Sequence, residues 1–204
     1  MKKTIVTAVL AFASVFAFGQ AQFALGIKAG PNFASIDTKA SAGENYRNRT
    51  GFHGGAFALI KLTKIGIQPE FIYSKQGTKF SLNTQDYEAN FDYINVPIVF
   101  KLYTIAGINL QAGPQFGFLS GVSGKAVETD NPQGDVIAVG KEHYKNSDLS
   151  LILGAGWDLP FGLTIDARYN LGLSKIQDNP QLDATKNQVW QLSIGYKLIK
   201  LGGK

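Results

Sequence analysis

Strict alternation of apolar residues with polar or small ones, kept up over eight separate segments, constrains this chain of 204 residues more than any other feature. Side chains on a β-strand point to opposite faces with a period of two, whereas an amphipathic helix repeats every 3.6 residues. The first segment sets Phe23, Leu25, Ile27, Ala29, Pro31 and Phe33 against Ala24, Gly26, Lys28, Gly30 and Asn32. The second, Phe52 to Lys61, is Gly-rich and compatible with either register. The third places Ile65, Ile67, Pro69, Phe71 and Tyr73 opposite Gly66, Gln68, Glu70, Ile72 and Ser74. The fourth places Ile94, Val96, Ile98, Phe100 and Leu102 opposite Tyr93, Asn95, Pro97, Val99 and Lys101. Ile108 to Phe118, Leu149 to Asp158, Leu163 to Leu173 and Trp190 to Leu198 complete the set, with Asp166 and Arg168 on the small-residue face of the seventh segment and Lys197 on that of the eighth.

Each segment is about nine to eleven residues long, the length with which a tilted strand crosses an outer membrane. The connections alternate as well. Leu62 to Lys64, Tyr103 to Ala106 and Leu159 to Phe161 are tight turns, while Ala34 to Thr50, Gln76 to Asn90, Ser120 to Ser147 and Ile176 to Asn187 are long and polar. This short–long rhythm puts the tight turns at one end of an up-and-down barrel and the long loops at the other, as in outer-membrane barrels with short periplasmic turns and long extracellular loops. Both mature termini are then expected on the periplasmic side.

The N-terminus predicts export. Lys2 and Lys3 precede an apolar run from Ile5 to Phe18, too short to span a bilayer, and Gly19 and Ala21 follow with the spacing of a cleavage site. The predicted organisation is a signal peptide at 1–21 and a barrel domain at 22–204. Without Lys2 and Lys3, the 20 Lys and Arg fall to 18 against 15 Asp and Glu. That small excess forms no basic stripe interleaved with aromatics, so nucleic acid is not an expected partner.

Alternation does not by itself say which face is outside, because a soluble lipocalin-like barrel also alternates. Volume separates the two. The apolar face carries about forty residues, many bulky, and an eight-stranded barrel has an interior just wide enough for ordinary side chains. The opposite face, rich in Gly, Ser, Gln and Asn, fits such a lumen. The apolar face is therefore expected to meet lipid. Charge agrees: Lys28, Glu70, Lys101, Asp166, Arg168 and Lys197 share the small-residue face, where turning them to lipid would cost about 2–4 kcal/mol for each Arg or Lys near the midplane. The expectation is a polar network inside the lumen, linking Glu70 or Asp166 with Lys101 or Arg168 and holding a plugged barrel together. Trp157, Trp190, Tyr73, Tyr103, Tyr169 and Tyr196 are expected to form aromatic girdles at the membrane interfaces.

Several stretches resemble the PorT-like outer-membrane β-barrel proteins of Gram-negative bacteria. They are Gly26-Ile27-Lys28-Ala29-Gly30-Pro31-Asn32-Phe33, Gln68-Pro69-Glu70-Phe71-Ile72-Tyr73-Ser74, Tyr93-Ile94-Asn95-Val96-Pro97-Ile98-Val99-Phe100-Lys101 and Arg168-Tyr169-Asn170-Leu171-Gly172-Leu173-Ser174. The resemblance covers the mature chain and implies an eight-stranded barrel in the outer membrane, in some members linked to protein secretion. It brings no catalytic residues. Lys200 to Lys204 run past the last strand, where the family pattern ends at the C-terminus.

Other chemistry is sparse. His143, with Ser147 and Asp148 four and five residues on, is the candidate for a loop-borne enzymatic site. His53 stands where the first long loop enters the second strand. With no Cys and two His, no thiolate or His-rich metal site can form. Glu128, Asp130 and Asp135 lack the spacing of a calcium loop. No catalytic, cofactor or metal residues are assigned. The expected function is that of a non-enzymatic barrel with structural, docking or secretion-associated work. Its partners are outer-membrane lipid and other envelope or secretion proteins reached through the extracellular loops or periplasmic turns. A small channel and an outer-membrane enzyme are the alternatives.

Overall fold

In a computed structural model of the chain, residues 21–37, 45–47, 49–82, 85–127, 147–173 and 186–202 are described. They form nine antiparallel strands: β1 (Ala21–Asp37), β2 (Asn45–Arg47), β3 (Arg49–Leu62), β4 (Ile65–Leu82), β5 (Gln85–Tyr103), β6 (Ile108–Val127), β7 (Ser147–Asp158), β8 (Leu163–Gly172) and β9 (Lys186–Leu201). Eight of them pair in chain order, and β1 pairs with β9 to close an up-and-down barrel. The three-residue β2 lies outside that ring and pairs with β4 at Lys79 to Ser81. The expected leader lies outside the described residues except Ala21, and so do His143 and the acidic residues of the longest loop.

The two faces of the wall separate as the alternation requires. Along β4, Ile65, Ile67, Phe71 and Tyr73 are exposed, while Gly66, Gln68, Glu70, Ile72 and Ser74 are buried. Among the described residues, thirty large hydrophobic side chains are exposed, including Phe71 at 60 % and Ile194 at 63 %, whereas Arg168 and Lys101 rank as the largest fully buried side chains. Water would not tolerate so continuous an apolar wall on a monomer. Hydrocarbon covers it without cost.

The ambiguous second segment adopts one register. His53, Phe57 and Leu59 of β3 face the lumen, and Phe52 is 55 % exposed. Phe57 and Leu59 join Ala24 in a small apolar cluster inside the barrel. The neighbouring glycines make this possible: a Cβ on Gly26 would lie 2.4 Å from the tip of the Phe57 ring. Gly55 and Gly113 are needed for another reason, since a Cβ on either would stand about 2.0 Å from a carbonyl of the adjacent strand. Such close backbone approach is how a small barrel turns its corners.

Two expectations require correction. The polar stretch from Gln76 to Asn90 is not a loop: β4 and β5 stay paired from Gln76↔Phe91 to Leu82↔Gln85, so the hairpin projects past the lipid belt. Outside lipid a hairpin needs no apolar face, and its polar composition hid it. The strands accordingly reach 18 to 20 residues in β4 to β6, well beyond nine to eleven. Second, Tyr103 is not part of a girdle. It is 4 % exposed and faces the lumen, on the same face as Lys101.

The remaining girdle aromatics lie on the outer wall. Trp157 and Tyr196 stand near the tight-turn end, where the Trp157 indole donates to the Ala106 carbonyl at 2.9 Å. Tyr169 and Trp190 pack with ring centroids 4.9 Å apart toward the opposite end, and Lys75 lies 5.9 Å over the Phe52 ring at the edge of the belt.

The β3–β4 turn holds Thr63 at a φ of 53°. A β-branched residue is strained in that region, where glycine is not. Thr63→Gly should therefore raise the folding stability by about 1 kcal/mol, read as a shift in the urea midpoint with an unchanged slope.

Candidate functional site

The polar lumen is built by parity. Every second residue of a strand turns inward, and the glycines among these leave room for long side chains from across the barrel. Gly154 and Gly156 of β7 stand beside Arg168 and Asp166 of β8. A Cβ on Gly156 would sit 2.2 Å from the Gln111 amide nitrogen and 2.5 Å from Asp166 Oδ1, so the network occupies that space.

All six candidate residues, Lys28, Glu70, Lys101, Asp166, Arg168 and Lys197, are buried, none more than 6 % exposed. Arg168 makes a two-pronged contact with Glu70, donating from Nη1 to Oε2 at 2.9 Å and from Nη2 to Oε1 at 2.8 Å. Its Nε donates to Gln111 Oε1 at 2.7 Å. Lys28 donates to Asp166 Oδ2 at 2.9 Å and lies 3.6 Å from Glu70. Asp166 also lies 3.6 Å from Lys101 and 3.7 Å from Arg168, and it accepts a 2.6 Å hydrogen bond from the Gln111 amide. It is the hub of the cluster, touching three cations. Lys197 is not in that group. It pairs with Asp158 at 2.8 Å, nearer the tight turns, and Lys101 links the two halves by reaching Asp158 at 3.3 Å.

Asp158, Tyr103 and Gln111 belong to the network beyond the six candidates. The Tyr103 hydroxyl donates to Asp158 Oδ2 at 2.8 Å, and Lys61 Nζ lies 4.0 Å from the centre of the Tyr103 ring. Both residues share strand parity with recognised lumen residues, Asp158 with Gly156 and Tyr103 with Lys101, and that signal would have found them. The cluster thus holds four cations, Lys28, Lys101, Arg168 and Lys197, against three carboxylates, Glu70, Asp158 and Asp166. Its formal charge is +1.

Above this cluster lies a neutral layer centred on His53, which is inside the barrel and not at a loop entrance. Asn32 Nδ2 donates to the Ser74 hydroxyl at 2.8 Å and to the Lys75 carbonyl at 3.2 Å, which leaves its Oδ1 as an acceptor. His53 Nδ1 is 2.7 Å from that oxygen and must carry the proton, so Nε2 accepts from the Ser193 hydroxyl at 2.8 Å. The order Ser193–His53–Asn32 matches a nucleophile, a base and an orienting group. Ser193 is 2 % exposed, however, and Asn32 is wholly buried, so this hydrogen-bonded series lies closed off inside the barrel. Of the loop-borne candidates, Ser147 and Asp148 stand at the start of β7 and pair with Phe118 and Gly117 of β6.

A closed eight-stranded wall, apolar outside and charged within, defines the class: an integral β-barrel of the bacterial outer membrane. The chain belongs to the outer membrane protein beta-barrel domain family, whose pattern it matches over residues 18–178. Among solved structures it is similar to neisserial surface protein A, with 10 % identity and a TM-score of 0.51 over 85 % of this chain and 97 % of that one. It is also similar to Ail, the attachment invasion locus protein of Yersinia pestis, solved in complex with the heparin analogue sucrose octasulfate (18 % identity, TM-score 0.47, 89 % of this chain and 99 % of that one). A third is the outer membrane protein OprG of Pseudomonas aeruginosa, with 12 % identity and a TM-score of 0.39 over 90 % and 95 % of the two chains. No curated protein matches the chain.

Proposed function

We propose that the protein is a non-enzymatic barrel whose wall is a rigid mount, with its work done at the ends of the barrel in docking, envelope structure or support of a secretion machine. The single observation that carries this reading is the plugged lumen. Among the described residues seven ion-pair contacts cross its interior, and Arg168, Lys101 and Asp166 are at most 2 % exposed. Each of these charges is held by two or more partners, so opening a path for solutes would require breaking several contacts at once, each costly in a low-dielectric interior. Function on a scaffold of this kind falls to the connecting segments. In this reading the long connections face outward, the tight turns and both mature termini face the periplasm, and residues 1–21 are removed on export. The resemblance to PorT-like proteins makes a secretion partner the first to seek.

The test is conductance. Protein folded into a planar bilayer should give no stepwise current at any voltage that the bare bilayer withstands. Reproducible single-channel steps would replace this reading with that of a small channel.

A further inference from the structure

The two ends of the barrel differ in charge. At the tight-turn end Lys64 and Lys200 are exposed and Lys61 is half-buried. Among the described residues no acidic side chain is exposed there. Asp158, the carboxylate nearest these turns, is buried and already held by Lys101, Lys197 and the Tyr103 hydroxyl. The opposite end mixes both signs: Asp37 stands opposite Lys186 in the strand register, and Asp92 opposite Lys75.

The same end is apolar out to its tips. Ile105, in the β5–β6 turn, is the most exposed large hydrophobic side chain among the described residues, at 78 %, and Phe161 in the β7–β8 turn follows at 64 %. The Trp157 indole donates to the Ala106 carbonyl, which puts the β5–β6 turn at the level of the aromatic girdle. Each exposed lysine stands among exposed apolar neighbours, Lys64 between Leu62 and Ile65, Lys200 between Ile199 and Leu201. Acyl chains that cover those neighbours carry their headgroups to the level of the lysines. Cation and apolar surface side by side match one amphiphile, with a phosphate for the ammonium and a chain for the wall. A zwitterionic headgroup brings a second cation beside its phosphate, whereas an anionic one does not, so the unpaired positive field selects the latter.

We propose that the tight-turn end binds anionic glycerophospholipid, with Lys64 and Lys200 on its phosphate, Lys61 adding to the field, and the apolar residues beside them on its chains. The inference rests on the barrel lying in lipid, and neither on its orientation nor on a docking role. Trp157 reports on this end, because Lys200 Nζ donates to the Pro160 carbonyl, 3.1 Å away, in the turn that follows β7. Trp190 lies toward the other end and serves as the control, each tryptophan being read in a variant with the other changed to Phe. The protein is folded into phosphatidylcholine vesicles holding a small fraction of chain-brominated phosphatidylglycerol or, in parallel, chain-brominated phosphatidylcholine. Phosphatidylglycerol should quench Trp157 as though enriched about fivefold, the preference that one lysine at a membrane surface confers, and should show less enrichment at Trp190. Lys64→Gln combined with Lys200→Gln should bring the two lipids level at Trp157, while the corresponding pair of Arg substitutions should keep the preference. Molar salt should level them in the unaltered chain, and this decides the matter should the Gln variant not fold. Equal quenching by the two lipids at Trp157, or an enrichment that survives salt or the Gln substitutions, would overturn the proposal. So would binding of soluble polyglutamate without phosphatidylglycerol enrichment, which would assign the surface to an acidic protein.

Discussion

Asp166→Asn should be the most damaging single change in the lumen, lowering the folding stability by about 3–5 kcal/mol. Asp166 touches Lys28, Lys101 and Arg168, so neutralising it takes one carboxylate partner from each of three buried cations at once. The charge count makes the effect asymmetric. The cluster stands at +1, so loss of a carboxylate raises it to +2, whereas loss of a cation brings it to zero. Arg168→Met should accordingly cost less, about 1–3 kcal/mol, although it breaks the two-pronged contact with Glu70. After that change Glu70 still accepts from the Gln68 amide at 2.7 Å and lies 3.6 Å from Lys28. Urea unfolding in lipid vesicles, followed by the fluorescence of Trp157 and Trp190, compares the two. If Arg168→Met proved the more costly, the contact geometry and not the net charge would govern the lumen.

On the outer wall, Leu153→Arg should cost about 2–4 kcal/mol in a bilayer. Leu153 is 47 % exposed and lies midway between Leu149 and Trp157 on β7, near the centre of the lipid belt. The sign of this prediction depends on the surrounding solvent. On a water-soluble barrel an exposed Leu changed to Arg would alter stability by less than about 0.5 kcal/mol. Unfolding measured in vesicles, against folding yield in detergent, separates the two cases.

Strand parity was the legible part of this molecule. It placed Lys28, Glu70, Lys101, Asp166, Arg168 and Lys197 on one face, and that face is buried. It was silent on which charges meet. Arg168 and Glu70 are 98 residues apart, and the distance between them depends on how the barrel closes. Parity also failed where composition carried no contrast. In β3 the lumen-facing Phe57 and Leu59 are apolar, and only the glycines around them allow it. The β4–β5 hairpin stays paired through its backbone out to Leu82 and Gln85, where a mostly polar composition reads as a loop. Tyr103 departs from the expectation that aromatic residues near turns belong to a girdle. Its parity with Lys101 outweighs that habit, and the Asp158 carboxylate gives its hydroxyl a partner inside. The β-bulge in β9 shows the rule from the other side. The register with β1 shifts between Leu25 and Gly26, and beyond it Leu198 and Ile199 both face outward, at 62 % and 49 % exposure.

The most direct measurement of the whole account is a quenching scan along β7. The chain has no Cys, so single cysteines carrying a fluorophore can be placed at each position from 149 to 157 without background. In vesicles containing a lipid-borne quencher, positions 149, 151, 153, 155 and 157 should be quenched and the even positions spared, a period of two in contact with hydrocarbon. Quenching of the odd positions by a water-soluble reagent instead, or no alternation at all, would contradict a barrel that is apolar toward lipid and charged within.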